Sequence, residues 1–284
     1  MRTASTDRPH VVTAGSGDRT VVLLHGYSDH GGTWQKVLPT LAEQYTVLVV
    51  DLPGFGHSSG TWREPLIDSY VEALSGLVDD RTGPDAPVSV IGNSLGAVTA
   101  LAWASARPDQ VADVVLSDMP GVAPIPRTWT RGVQFRVERL TQLLSAPVPD
   151  RVVQQMVGAL YATAALRHPL RADASVRAGY TRHYATHRQV ADLLALGRVV
   201  IREIAALPIP QMIDDLAMPV LLLWGANDLL TPARAARRIT VTADRRVAVI
   251  PDCGHCPQLD CPSEFLAEIL PFLARGDDRI RRYS

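Results

Sequence analysis

Six short stretches of the chain are apolar almost without interruption. They are "TVVLLHG" (20–26), "TVLVVDLPG" (46–54), "APVSVIGNS" (86–94), "VADVVLSDMPG" (111–121), "PVLLLWGAND" (219–228) and "RRVAVIPDCGH" (245–255). The first four are rich in β-branched residues and end in glycine or a polar residue, the pattern of strands buried on both faces of a parallel sheet, and the last two resume the same alternation further along the chain. Between the first four, "TWQKVLPTLAEQY", "LIDSYVEALSGLVDD" and "LGAVTALAWASARP" carry helical spacing, and the last of these stops at Pro108. Strands alternating with helices predict right-handed crossovers in a doubly wound, mostly parallel α/β sheet.

The alternation breaks after Pro120 and resumes at Pro219. From about 122 to 210 no buried-strand run occurs, but "GVQFRVERLTQLLS", "RVVQQMVGALYATAALR" and "HRQVADLLALGRVVIREIAAL" read as helices. The chain therefore divides into a core over 1–121, a helical insertion over 122–210 and a second core segment over 211–284. A final helix over "PSEFLAEILPFLAR" closes the core, and "GDDRIRRYS" is read as a loose tail.

Composition changes this picture little. With 46% hydrophobic and 20% charged residues among 284, the chain reads as soluble and globular. A net charge of -1 gives no electrostatic reason to expect nucleic acid or an anionic membrane as partner, and the scattered arginines read as a solvated surface. The N-terminus lacks the apolar centre of a secretory signal and no run reaches the ~18 apolar residues of a membrane span, so a cytoplasmic location is the expectation. Cys253, Cys256 and Cys261 crowd around His255. Zinc would need a second ligand pair that is not apparent at a distance, so unlinked thiols are favoured over a metal site or a local disulfide.

Within "VIGNSLGA" one hydroxyl stands between two glycines where a strand must turn abruptly into a helix. Side chains two positions before and two after the turning residue would collide with neighbouring backbone. Gly92 and Gly96 avoid that, and Ser94 is lifted clear of the sheet at a helix N-terminus, where unpaired N–H groups favour developing negative charge. A plain glycine-rich turn has the same spacing, but here strand and helix both lie where a nucleophile requires them.

A serine hydroxyl needs a base to take its proton and a carboxylate to orient that base. Of eight histidines, His255 follows the last strand, on the same carboxyl edge as Ser94, where open α/β sheets build their sites. His25 shares that edge but opens a loop beside Gly26 and reads as a brace. Asp228 ends its strand 27 positions before His255 and is the preferred acid. Asp118, also at a strand end, is the rival, and Asp51 is read as capping its own "DLPGFGHS" loop.

These residues together resemble the α/β-hydrolase superfamily, over nearly the whole chain. "HGYSDHGGTW" is similar to its oxyanion loop, "DLPGFGHS" to its Asp-x-Pro-Gly-x-Gly-x-Ser turn and "GNSLGA" to its nucleophile elbow. "GANDLLTP" and "GHCPQLDCPSEF" resemble its acid and histidine loops. The resemblance implies the order Ser94, Asp228, His255, and an oxyanion hole from the backbone N–H groups of Tyr27 and Leu95. It also implies that the insertion is a cap following the sixth core strand. Asp260 before Cys261-Pro262, where relatives usually carry glutamate, and Ala97, where a further glycine is frequent, depart from the pattern conservatively.

Serine at 94 argues against the epoxide hydrolase and haloalkane dehalogenase branches, whose chemistry uses a carboxylate nucleophile. The expected substrate is a small to medium hydrophobic carbonyl compound, foremost a carboxylic ester. The Gly-Asn-Ser elbow keeps C–C hydrolysis of vinylogous diketone acids open, and a lyase or cyclase, or a ligand receptor on the same scaffold, are further alternatives. Trp129, Phe135, Met156, Tyr161, Tyr180, Tyr184 and Met212 offer apolar surface for the pocket, though the cap's own core would use the same residue types. No cofactor is implied, since neither a phosphate-cradling loop nor a dinucleotide fingerprint follows the first strand. Oligomeric state is not legible.

Overall fold

In the computed structural model the described residues are 8–58, 62–83, 86–124, 149–167 and 186–283. Seven strands form one sheet in the order β1-β3-β2-β4-β5-β6-β7. They are β1 (Val11–Ala14), β2 (Thr20–Leu24), β3 (Thr46–Val50), β4 (Val88–Asn93), β5 (Val111–Ser117), β6 (Val220–Gly225) and β7 (Arg245–Ile250). All neighbours run parallel except β1, which pairs antiparallel with β3. The six apolar runs are β2 to β7. The edge strand β1 escaped the sequence reading because "VVTA" is only four residues long and half-exposed, so it lacks the buried-run signature.

Helices cover both faces, as continuous apolar strands require. On one face α2 (Leu66–Thr82) and α3 (Leu95–Ala106) pack around Trp103, Val90, Leu116 and Leu222. On the other, α1 (Leu38–Ala42) and α8 (Pro262–Tyr283), which follows the short α7 (Pro257–Asp260), enclose Trp34, Ile91, Val115 and Phe265. The stretch 33–45 is not one helix: a 3-10 turn over Gly31–Trp34 precedes the short α1, where Pro39 sits in the first turn, the position where its missing N–H costs least. The backbone of α8 continues to Tyr283 where the sequence reading left a loose tail.

Between β5 and β6 the described chain contains α4 (Asp150–Ala165), α5 (His187–Ala206) and α6 (Ile209–Asp215) and no strand. The insertion thus follows the fifth of the seven strands seen here, and α6, which packs on α3, straddles residue 210. Among the described residues no helix is long and apolar enough to cross a membrane.

A carboxylate on α5 caps a core helix. Pro65, at the N-cap of α2, offers no side-chain acceptor, and the Glu203 carboxylate takes its place, accepting the N–H groups of Leu66 at 2.7 Å and Ile67 at 2.9 Å. A carboxylate at a helix N-terminus satisfies orphan donors and complements the helix dipole. Glu203→Ala should therefore lower stability by about 1 kcal/mol, read as a lower urea midpoint at unchanged slope. An unchanged midpoint would show that solvent satisfies these amides equally well.

Candidate active site

The strand order reverses around β2: β3 lies on one side and β4 on the other. Loops leaving the carboxyl ends of β2 and β4 therefore diverge and open a crevice at the switch point. Ser94 leaves β4 there, with φ 54° and ψ -114°, a conformation rare for any L-residue, and heads α3 directly. The flanking glycines are obligatory for steric reasons. A Cβ on Gly92 would stand 2.3 Å from the Gly96 carbonyl oxygen, and one on Gly96 would stand 2.2 Å from that of Leu24. Ala97, the departure noted above, is fully buried in the core.

The loop after β2 lies against the elbow, since a Cβ on Gly26 would be 3.2 Å from Ser94 Cβ. His25 holds this loop in place. Its Nε2 accepts the Leu52 N–H at 3.0 Å and its Nδ1 lies 2.7 Å from the Gly26 carbonyl oxygen. Backbone thus occupies both ring nitrogens, as expected of a brace. Among the described residues no acceptor takes the N–H of Tyr27 or Leu95, the two candidate oxyanion donors. The Tyr27 side chain is committed elsewhere: its hydroxyl donates to the Leu193 carbonyl oxygen on α5 at 2.7 Å, and burial pushes its pKa up.

His255 and Asp228 are joined. His255 Nδ1 lies 2.8 Å from Asp228 Oδ2, and both residues are buried. The Asp228 carboxylate is fully engaged: Oδ1 accepts the N–H groups of Leu230 (2.7 Å) and Thr231 (2.9 Å), and the Thr231 hydroxyl reaches Oδ2 at 2.5 Å. Burial raises its pKa, but the His255 charge and these donors outweigh that and hold the acid down at about 2. The histidine loop is pinned from beneath by Asn93, whose Nδ2 donates to the His255 carbonyl oxygen at 3.0 Å. It is pinned from the insertion side by the His255 N–H, which donates to the Ala165 carbonyl oxygen at 2.8 Å. Asp260 accepts the N–H groups of Gly254 (2.8 Å) and Arg167 (2.9 Å), so aspartate suffices where the family pattern carries glutamate.

Asp118, the rival acid, lies beneath the pair rather than on the histidine: its carboxylate, that of Asp228 and a His255 ring nitrogen fall within 4.8 Å of one another. Ser117 Oγ donates to Asp118 Oδ2 at 2.7 Å and the Gly225 N–H donates to Oδ1 at 2.9 Å. Complete burial, then the neighbouring Asp228 charge, raise the Asp118 pKa well above the usual carboxylate range.

Met156, on α4, is 65% exposed, and Met212 packs against the main core cluster. Trp129, Phe135, Tyr180 and Tyr184 lie outside the described residues, as does the side chain of Tyr161. The three cysteines are unlinked. Sequence reasoning missed Thr231 and the double role of Tyr27. A hydroxyl three residues after the acid, in "NDLLT", is the signal that could have found Thr231.

The alpha/beta hydrolase fold family matches residues 19–262. Over 272 residues the chain is 28% identical to the pimeloyl-[acyl-carrier protein] methyl ester esterase of Nitrosomonas europaea, covering 91% of this chain and 96% of that protein. It is 27% identical to the 2-hydroxy-6-oxo-6-(2'-aminophenyl)hexa-2,4-dienoic acid hydrolase of Metapseudomonas resinovorans, covering 94% and 88% of the two chains. A solved structure of a thermophilic esterase from Thermogutta terrifontis superposes with a TM-score of 0.74 at 21% identity, covering 94% of this chain and 93% of that one. With its motifs in order on a seven-stranded sheet and the family match spanning most of its length, the chain belongs to the α/β-hydrolase family.

Proposed function

We propose that the protein is a serine hydrolase that cleaves a carboxylic ester through an acyl-enzyme on Ser94. The observation that carries this reading is the His255–Asp228 pair at 2.8 Å, on the same sheet edge as a serine held at φ 54° at the head of a helix. In the proposed cycle His255 takes the Ser94 proton as the oxygen attacks the carbonyl carbon. The Tyr27 and Leu95 amides stabilise the oxyanion, and the imidazolium gives its proton to the departing alcohol. Water, deprotonated by the same imidazole, then releases the acid and restores Ser94. Asp228 stays ionised throughout, which favours the histidine tautomer with its proton on Nδ1.

C–C hydrolysis is the second reading, favoured by the similarity to the dienoic acid hydrolase and by the Gly-Asn-Ser elbow. Asn93 weighs less in that choice than its sequence position suggests, because its side chain is engaged with the backbone of the histidine loop. The discriminating experiment is a panel of p-nitrophenyl esters from acetate to decanoate, run beside a chromophoric 6-oxo-2-hydroxydienoate. Faster turnover of the esters supports the esterase and their chain-length optimum sizes the acyl site. Turnover of the dienoate alone would replace that reading with C–C hydrolysis.

A further inference from the structure

At the carboxyl end of β3, three side chains from two distant segments converge on one point. His10 precedes β1, while Asp51 and His57 bound the loop after β3. His10 Nδ1 lies 3.2 Å and His57 Nδ1 3.1 Å from the same oxygen, Asp51 Oδ2, and the three atoms fall within 4.8 Å of one another. The geometry points to a binding site for a divalent transition-metal ion, of which Zn²⁺ is the representative, held by His10 Nδ1, Asp51 Oδ2 and His57 Nδ1.

The spacing carries the argument. In a tetrahedral zinc site with bonds of about 2.0–2.1 Å, adjacent ligand atoms stand about 3.4 Å apart. The two nitrogen-to-oxygen separations here come within a few tenths of an ångström of that before any adjustment. The donor set, two imidazoles and one carboxylate, suits zinc, cobalt, nickel or copper and not calcium or magnesium, which want all-oxygen shells.

The ligands are also held in place. The Gly31 N–H donates to Asp51 Oδ1 at 2.6 Å and the His57 N–H to Oδ2 at 2.9 Å, fixing the carboxylate. The His10 backbone is fixed on both sides, its N–H donating to Ser58 Oγ at 2.7 Å and its carbonyl accepting the Asp51 N–H at 2.9 Å. Such outer-shell bonds orient metal ligands. Asp51 is buried while His10 and His57 are 42% and 63% exposed, so an ion can enter and keep water on its open side.

Neither histidine takes part in the proposed hydrolysis. A metal here stitches the N-terminal segment to the loop after β3, and its role is binding and stabilisation of that edge.

The test is Zn²⁺ binding to the full chain, free of any polyhistidine tag, by competition with a chromophoric chelator, with Co²⁺ absorption as a second probe. Expected are one Zn²⁺ per chain, affinity reduced at least about tenfold in both H10Q and H57Q, and a Co²⁺ spectrum without thiolate charge transfer. Thermal unfolding with and without Zn²⁺ should show a rise in Tm that both variants lose. Absence of stoichiometric binding at micromolar Zn²⁺, or affinity unchanged in either histidine variant, overturns the site. So does binding abolished by Cys261→Ser, because Cys253, Asp260 and Cys261 form one competing cluster, the other being Asp118, Asp228 and His255. Circular dichroism of each variant confirms the fold, and Asp51→Asn is avoided because Asp51 also holds the Gly31 and His57 amides.

Discussion

Replacing Ser94 with alanine is expected to lower kcat on the best p-nitrophenyl ester by about four to six powers of ten with the fold intact. The loss is large because the nucleophile, base and acid act as a unit, so removing one forfeits nearly all that the unit contributes. What survives comes from the oxyanion amides and substrate binding. The fold should tolerate the change because alanine keeps the Cβ at 94, and the backbone at φ 54° is held by its neighbours: the Ser94 N–H donates to the Ser117 carbonyl oxygen at 2.9 Å and its own carbonyl receives the Ala97 N–H at 3.0 Å. Initial rates, with thermal unfolding as the control for folding, decide the matter. A folded S94A variant keeping even about a tenth of wild-type activity would mean that the hydroxyl is not the nucleophile.

The second large effect separates two carboxyls that sequence position alone leaves as rivals. Asp228→Asn should reduce kcat by about 10⁴-fold. Its amide would turn a donor toward His255 Nδ1, where the carboxylate now accepts, and so favour the wrong tautomer. Asp118→Asn should stay within about an order of magnitude of wild type, because a neutral side chain of the same shape can still accept from the Gly225 N–H and donate toward Asp228. Equal damage from both substitutions would defeat this assignment.

The two acids also pull stability in opposite directions with pH. The folded-state pKa of Asp228 is lowered to about 2, so its contribution is present above its ordinary value of 3.8 and lost as the pH falls toward 2. Asp118 has a raised folded-state pKa, so its contribution is complete below 3.8 and is lost as the pH rises toward the folded value, by at most about 1.4 kcal/mol per pH unit. Asp118→Asn removes that loss, and its urea midpoint should fall less than that of wild type as the pH is raised above 3.8.

The strands β2 to β6 were legible because a strand covered on both faces must be apolar at every position, and few other elements produce such short, uninterrupted β-branched runs, while β7, the partly buried strand at the opposite sheet edge, was legible from its "VAVI" run. Once those strands were ordered, Ser94, His255 and Asp228 followed from lying at their carboxyl ends. The edge strand β1 was not legible, since a four-residue half-exposed strand resembles any loop. Side-chain choices among chemically equal neighbours were illegible for a different reason. Tyr27 hydrogen-bonding to Leu193 depends on a contact between segments distant in sequence, which local spacing does not encode, whereas the Thr231 bond to Asp228 spans three residues and lies within reach of local spacing.

The two helices α4 and α5 each make a polar contact with a loop that carries the proposed chemistry. The end of α4 receives the His255 N–H at Ala165, and α5 receives the Tyr27 hydroxyl at Leu193, while a Cβ on Gly197 would stand only 2.5 Å from that hydroxyl. The insertion is consequently not an interchangeable module. A graft of another family member's insertion onto this core would have to reproduce a carbonyl under the histidine loop and a side-chain-free notch for a tyrosine. Without both, the transplanted helices would disturb the base and the oxyanion donor together, and a chimaera built to change selectivity would first lose rate.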